Sequence, residues 1–294
     1  MKNFSIVRNW KIFFAITIIG LMIGYGSMIF RGFNLGIDFT GGSIMELKFE
    51  KAVQVAQVRE VLGKHNLGGA IIQLESNDSA ATSSQGVLIR TPVIADNDRT
   101  TVMQDMEKSL GKFEIRRVEN VGATIGGELI QQAAIAIFLS WVLMVLYITI
   151  RFQLNFALAA IIALIIDVSV TLSWFSLLQL EIDSTFVAAL LTVVGYSVNG
   201  TIVIFDRIRE NLKVHRRTET VTDMIDNSIK STLTRTIYTT ITTLFAIVAI
   251  FLFGGETIHN FSFAMLVGCC SGAYTSILLA GTIWLFLQHK KAGE

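Results

Sequence analysis

Residues Phe156 to Leu178 read FALAAIIALIIDVSVTLSWFSLL, an apolar run in which Asp167 is the single ionisable side chain. An α-helix needs about 20 apolar residues to cross the hydrocarbon core of a bilayer. The run is therefore long enough to form one transmembrane helix, and it predicts that the chain is a membrane protein.

Five further runs have the same character, so the sequence predicts six transmembrane helices. The six runs are Ile12 to Phe30, Leu129 to Ile150, Phe156 to Leu178, Phe186 to Phe205, Ile237 to Phe253 and Phe261 to Leu287. The composition agrees, since 52% of the 294 residues are hydrophobic and 16% are charged, whereas roughly a quarter are charged in a soluble domain. These proportions exclude a soluble enzyme, a disordered chain and a disulfide-stabilised scaffold.

The lysines and arginines of the short loops predict the sidedness of the chain. Residues 206–235 carry seven of them, whereas the loops after the third and fifth spans carry none and hold Glu181, Asp183 and Glu256. With six spans, this asymmetry places both termini in the cytoplasm. The first apolar run is longer than that of a signal peptide and no A-x-A site follows it, so we interpret it as a retained anchor.

The predicted organisation follows from the spans and their sidedness. It comprises the cytoplasmic N-terminus and first span (1–30), an extracytoplasmic domain (31–128), the second to fourth spans (129–205), a cytoplasmic loop (206–235), and the last two spans with a cytoplasmic tail (236–294). In the loop, Thr220-Val-Thr-Asp223 resembles a capping box. The apolar residues after it follow helical spacing and predict a short amphipathic helix at the membrane surface before the fifth span.

The segment from about Ser43 to Val121 predicts a small folded domain. Predicted strands and helices alternate in the order Ser43–Phe49, Val53–His65, Ala70–Leu74, Gly86–Thr91, Asp98–Leu110 and Phe113–Val121. The order βαββαβ predicts a ferredoxin-like α+β sandwich. Its one histidine, His65, ends a helix and is interpreted as solvated. The domain shows no catalytic pattern, and we interpret it as a binding or lever module.

Polar side chains within the spans are candidate functional residues, because an ionisable group in the bilayer costs about 2.5–3.5 kcal/mol on insertion scales. Asp167 lies near the middle of the third span. It is interpreted either as a proton or ion relay group or as a hydrogen-bonded Asp that joins two helices, and both interpretations stay open.

Two polar stripes at helical spacing accompany Asp167 and predict a polar seam through the helix bundle. The stripe residues are Thr192, Gly195, Tyr196, Asn199 and Asp206 in the fourth span and Arg235, Thr239, Thr242 and Thr243 in the fifth. The threonines have an alternative role, since a threonine hydroxyl also bonds back to the backbone of its own helix.

The sixth span contains Gly268-Cys-Cys-Ser-Gly272, a G-x-x-x-G pattern that lets helices approach closely. The two cysteines within it are interpreted as packing residues. The sequence has no phosphate-binding loop and no Cys/His cluster with metal-ligand spacing. It therefore predicts no cofactor, no metal site and no enzymatic activity, and a net charge of +1 does not indicate a nucleic-acid partner.

Several motifs are distributed along the chain. They are Gly36-Ile-Asp-Phe-Thr-Gly-Gly42 (with Asp38, Gly41 and Gly42), Ile182-Asp183, Gly195-Tyr-Ser-Val-Asn-Gly-Thr-Ile-Val-Ile-Phe-Asp-Arg-Ile-Arg-Glu-Asn211 (with Gly195, Ser197, Asp206 and Arg207), Arg235-Thr-Ile and Phe253-Gly-Gly255. With these motifs the chain resembles the SecF branch of the SecD/SecF family of protein-export membrane proteins. The resemblance covers essentially the whole chain.

The resemblance implies half of an RND-type transporter that pairs with a SecD-like subunit in the cytoplasmic (inner) membrane. It further implies association with the SecYEG translocon and a pull on the translocating polypeptide at the outer side, driven by proton or sodium flow. Half of a proton-driven RND-type small-molecule exporter and a non-conducting scaffold subunit are the alternatives. The small size of residues 31–128 favours the role in protein export.

One position departs from the family. The resemblance implies an Asp that forms part of an ion pathway with the fifth-span arginine, and this chain has Gly200 there, while Asn199 and Arg235 match. Three interpretations stay open. The partner subunit carries the essential carboxylate alone, Asp167 takes its place, or the chain docks without conducting ions.

Overall fold

The structure, a computed structural model, describes residues 5–75, 82–214, 220–255 and 258–292 and divides into two compact units, Met1–Asn34 with Ala133–Glu294 and Leu35–Gln132. In chain order its elements are α1 (Trp10–Arg31), β1 (Asn34–Leu35), α2 (Ile37–Thr40), β2 (Gly42–Gln54), α3 (Val55–Lys64), β3 (Ile71–Glu75), β4 (Ser83–Thr91), α4 (Asp96–Leu110), β5 (Phe113–Val121), α5 (Ala123–Arg151), α6 (Leu154–Leu178), β6 (Glu181–Ile182), α7 (Ser184–Lys213), α8 (Val221–Phe253), α9 (His259–Tyr274), a π-helical turn (Thr275–Ala280) and α10 (Gly281–Ala292).

Six helices in the described parts of the chain are long and apolar enough to cross a membrane, which confirms the six predicted spans. They are α1, α5, α6, α7, α8 and the helix that α9, the π-helical turn and α10 form together. Most of them extend beyond the apolar runs. For example, α7 continues past Phe205 to Lys213, because residues 206–213 contain no glycine or proline that would end a helix.

The predicted amphipathic helix before the fifth span is wrong in one respect, since it is not a separate element. It is the first part of α8, which runs without interruption from Val221 to Phe253. No glycine or proline lies in this range. The predicted N-cap is confirmed, because the backbone N–H of Asp223 donates to Thr220 Oγ1 at 3.2 Å. Of the predicted loop, residues 215–219 lie outside the described parts of the chain.

The unit Met1–Asn34 with Ala133–Glu294 holds five of the six spans and most of α5, and we call it the membrane unit. The helix α6 is its central element. It packs against α1, α7, α9 and α10, and most of its residues are buried. In α5 and α8, by contrast, most apolar side chains are exposed, with Phe138 and Phe245 as examples. Such apolar exposure is expected of helices whose surroundings are lipid or another apolar helix.

The unit Leu35–Gln132 has the predicted βαββαβ order, and the ferredoxin-like fold is confirmed. Its sheet has the strand order β3-β4-β2-β5 with every neighbouring pair antiparallel. Apolar side chains of the sheet and of α3 and α4 form one core, which includes Leu47, Leu62, Ile89 and Met106.

His65 differs from its prediction as a solvated residue. Its Nε2 lies 2.9 Å from Oδ2 of Asp105, and its side chain is only 22% exposed. Since His65 follows α3 and Asp105 belongs to α4, the pair joins the two helices of this unit.

The glycines that end the Gly36–Gly42 motif have a conformational reason. The motif forms the short helix α2, with Asp38 in its first turn, and then enters β2. Gly41 and Gly42 have φ values of +70° and +139°, a backbone conformation that residues with a side chain rarely adopt. A Cβ atom at Gly42 would also lie 2.7 Å from the carbonyl oxygen of Thr91.

The start of the chain is fastened to the start of α8. Asp226, a buried residue, accepts hydrogen bonds from the backbone N–H groups of Ile6 and Val7, each at 3.0 Å. Arg8 forms an ion pair with Asp223 at 2.8 Å, and both side chains are more than a third exposed. The buried contact therefore carries most of the attachment.

We expect Asp226→Ala to release the N-terminal segment from α8. A hydrogen bond to a charged group contributes about 1.5–3 kcal/mol, and Asp226 makes two of them. The measurement is hydrogen exchange at the amides of Ile6 and Val7, which should become faster. Asp223→Ala is the control, because exposed ion pairs contribute little. Unchanged protection in Asp226→Ala would contradict this account of the attachment.

Candidate functional site

The Asp167 carboxyl lies at the centre of the membrane unit and has no exposed surface. It accepts hydrogen bonds from the hydroxyls of Ser197 at 2.5 Å, Ser271 at 2.7 Å and Thr275 at 2.9 and 3.0 Å. These donors belong to α7, α9 and the π-helical turn, so three spans meet at one carboxyl group. It has no ion-pair partner in the parts of the chain that the structure describes.

None of these three donors was identified as a partner of Asp167 from the sequence, and Ser197 was named only as part of the fourth-span motif. Ser271 and Thr275 are four residues apart, which places them on one face of a helix. A hydroxyl residue in an apolar helix is ordinarily interpreted as bonding to its own backbone. The signal that could have found them is the combination of this spacing with a buried carboxyl in a neighbouring span.

A cavity of about 70 Å³ adjoins this carboxyl site. It lies between α7, α8 and α9, and its lining includes Tyr196, Ser197, Asn199, Gly200, Arg235 and Thr239. The structure thus brings together Asn199, Gly200 and Arg235, the three positions at which the family resemblance implies an ion pathway. One water requires about 10–15 Å³ of such space, so the cavity has room for a few water molecules beside polar groups.

Ser197 connects the cavity to Asp167, because it lines the cavity and also donates to the carboxyl. Gly200 lies in the same wall, and a Cβ atom there would be 3.1 Å from Ser276 Oγ. Arg235 has no ion-pair partner in the described residues. Its cationic side chain therefore shares the cavity with a glycine at the position of the carboxylate that the family resemblance implies.

A second and larger polar cavity, of about 500 Å³, adjoins the first. Val203 and Arg235 line both cavities. The second is also lined by Asp206, Arg207 and Glu210 of the fourth-span motif, and Arg207 Nη1 donates to Glu210 Oε2 at 2.9 Å. The charged end of α7 therefore lies next to the smaller cavity.

Other residues of the predicted polar seam do not line either of the two polar cavities. Thr192 and Thr242 are exposed, and their hydroxyls donate to carbonyl oxygens of their own helices, as does Thr243. Gly195 is exposed and a Cβ atom there would meet no atom within 4 Å. The seam is therefore shorter than predicted, and the backbone-bonding alternative is correct for these threonines.

The G-x-x-x-G pattern brings α9 against α7. A Cβ atom at Gly268 would overlap Val193, and one at Gly272 would lie 2.9 Å from Cβ of Ser197. The two helices are therefore tightly packed beside the carboxyl site. Cys269 between the glycines is buried and Cys270 is exposed.

Comparisons with known proteins identify the family. Residues 101–290 match the family described as "Protein export membrane protein SecD/SecF, C-terminal", and residues 26–53 match the "SecD/SecF GG Motif". The chain is 67% identical over 290 residues to the protein translocase subunit SecF of Acidaminococcus fermentans, with 99% of each chain covered. It is 36% identical over 289 residues to that of Sebaldella termitidis, with 98% of this chain and 93% of the relative covered.

The fold also matches a solved structure. The crystal structure of SecDF from Thermus thermophilus, a translocon-associated membrane protein, aligns with a TM-score of 0.87 at 33% identity. The alignment covers 97% of this chain but 39% of the SecDF chain, so this chain spans about two fifths of that protein.

We expect Gly268→Ala to weaken the packing of α9 against α7, because the added methyl group overlaps Val193. Forcing extra volume into a packed core costs about 1–3 kcal/mol. The measurement is the thermal stability of the purified protein in detergent, compared with Gly195→Ala as the matched control on an open surface. Equal stability of the two variants would contradict close packing at Gly268.

Proposed function

Because this chain belongs to the SecF branch of the SecD/SecF family of protein export membrane proteins, we propose that it assists polypeptide export as one half of a SecD–SecF complex. In this proposal the complex lies in the cytoplasmic membrane, associates with the SecYEG translocon and is driven by the transmembrane ion gradient. The chain transmits force and is not an enzyme.

The observation that carries the proposal is the alignment of nearly the whole chain with about two fifths of a SecDF chain. That protein is named SecDF, and its chain extends well beyond the part that this chain matches. A SecD-like part is therefore the partner that we propose for this SecF-like chain. The exposed apolar side chains of α5 and α8 are available to such a partner or to lipid.

The distribution of charges supports the proposed sidedness. Arg151, Arg207 and Lys213 lie at the ends of α5 and α7, and Asp183 caps the other end of α7 by accepting from the N–H of Phe186 at 2.8 Å. By the positive-inside rule the basic end is cytoplasmic. The ferredoxin-like unit is then extracytoplasmic, where an emerging polypeptide would be reached.

The polar cavities support use of an ion gradient. Moving one elementary charge through 100 mV is worth about 2.3 kcal/mol, which is enough to bias a two-state movement. A polar space with room for water beside Arg235 and Ser197 is the kind of site that such a charge requires. The scaffold alternative is favoured by Gly200, because the carboxylate that the family resemblance implies beside Arg235 is missing at this position.

Export of a secretory protein into inverted membrane vesicles that contain this chain and its SecD-like partner should decrease when the ion gradient is collapsed. Vesicles that contain the SecYEG translocon alone are the control, and their export should respond less. If the gradient has the same effect on both preparations, the proposed coupling is wrong.

Cysteine labelling with a membrane-impermeant reagent tests the sidedness. In a background without Cys269 and Cys270, a cysteine at Gln85, which is exposed, should react in intact spheroplasts. A cysteine at Lys213, also exposed, should react only after permeabilisation. Labelling of the Lys213 position in intact spheroplasts would exclude the proposed topology.

A further inference from the structure

We propose that Asp167 is a proton-exchange site of the membrane unit, reached from the cavity beside Gly200 through the hydroxyl of Ser197. The inference rests on the proposed function, because it names the group that takes up and releases the coupling proton in this half. It follows from the contacts of the carboxyl and from the position of the adjoining cavities.

The partners of the carboxyl allow two protonation states. Each hydroxyl of Ser197, Ser271 and Thr275 can donate or accept, since a hydroxyl carries one proton and two lone pairs and rotates to suit its neighbour. With the carboxylate ionised, all three donate to it, as the distances of 2.5–3.0 Å permit. With the acid protonated, its O–H donates to the oxygen of one hydroxyl group. That hydroxyl group then rotates and directs its own proton to another acceptor.

Asp226 provides the contrast within the same unit. Among the described residues of this unit it is the other buried carboxyl, and it is held by two backbone N–H groups. An N–H group only donates, so this arrangement satisfies an ionised carboxylate and leaves a protonated acid with fewer suitable partners. The two sites therefore differ in chemistry although both are buried.

The elements of a route to Asp167 lie next to one another. The larger cavity at the charged end of α7 shares Val203 and Arg235 with the smaller one, and the smaller one reaches Ser197. A protonated water in the cavity would give its proton to the Ser197 oxygen while the Ser197 proton passes to the ionised Asp167, which leaves neutral water and a protonated acid, and release reverses both transfers. Gly200 keeps the wall of the cavity free of a side chain.

A proton suits the site better than a sodium ion. The hydroxyl oxygens lie at hydrogen-bond distances from the carboxyl oxygens of Asp167, so a hydrogen-bonding proton fits between each pair. A metal ion would need the same oxygens turned towards it with their protons directed away.

Other titratable groups surround the route. Those of the described chain near the carboxyl or the cavities are Cys269 and Tyr274 of α9, Tyr196, Asp206, Arg207 and Glu210 of α7, Arg235 of α8, Arg151 and Tyr147 of α5, and Tyr25 of α1. Among them the carboxylates Asp206 and Glu210 lie at the larger cavity. Asp167 is the carboxyl at the inner end of the route.

Infrared spectroscopy of the purified complex of this chain and its SecD-like partner tests the proposal. The difference spectrum between wild type and Asp167→Asn should contain a carboxylic-acid C=O band that disappears as the pH is raised. Asp226→Asn is the matched control, and the spectrum of this variant should still contain the C=O band of Asp167. The absence of the band at every pH, its persistence at every pH, or its loss on adding sodium at constant pH would each overturn the proposal.

Deuterium exchange of the same band tests the route. Ser197→Ala should slow the exchange of the carboxyl proton with D₂O, because it removes the Asp167-bonded hydroxyl of a residue that lines the cavity. Ser176→Ala is the control, since Ser176 is a buried α6 hydroxyl that bonds to Ser27 and Gly32 instead. Exchange as fast in Ser197→Ala as in the control would refute access through Ser197.

The export assay separates this inference from the proposed function. Asp167→Asn complexes recovered at wild-type yield should lose the gradient-dependent part of export, whereas Asp226→Asn complexes should keep it. Full gradient-dependent export by Asp167→Asn would overturn the role of Asp167 and leave the proposed function intact. A wild-type complex whose export ignores the gradient would instead refute the proposed function, and the infrared result would still decide the proton site.

Discussion

The membrane unit depends on the Asp167 carboxyl and the hydroxyl groups that hold it. A carboxyl without exposed surface in an apolar bundle is tolerated only if other groups replace the water that would solvate it. Ser197, Ser271 and Thr275 do so from two neighbouring spans. Because hydrogen bonds are short and directional, these contacts fix where α7 and the last span lie along α6. One polar group thus sets the register of the most buried helices.

Close packing of α7 and α9 makes these contacts possible. Gly268 and Gly272 are one turn apart and face Val193 and Ser197, which are also one turn apart. Side chains at the two glycine positions would hold the helices away from each other. Ser197, which faces Gly272, would then move away from Asp167. The packing motif and the polar site are therefore two parts of one arrangement, since the glycines position the donors that the carboxyl requires.

Much of the fold was predictable because it depends on local patterns. The lengths of the apolar runs identified the six spans, and the alternation of apolar residues identified the ferredoxin-like order. The site was only partly predictable. Asp167 is conspicuous in an apolar run, but Ser271 and Thr275 resemble any other hydroxyl residues of a span. Their role depends on which helices are neighbours, and periodicity does not report this. The continuous α8 was missed for a similar reason, because a change in amphipathicity does not by itself end a helix.

The central claim is that the Asp167 carboxyl exchanges a proton within the bundle. The most direct measurement is the ¹³C chemical shift of this carboxyl by solid-state NMR, in the complex reconstituted in lipid bilayers and followed as the pH is varied. The account predicts a transition between the shifts of a protonated acid and an ionised carboxylate. A shift that stays the same at every pH would show that Asp167 only joins the helices, and it would contradict the account.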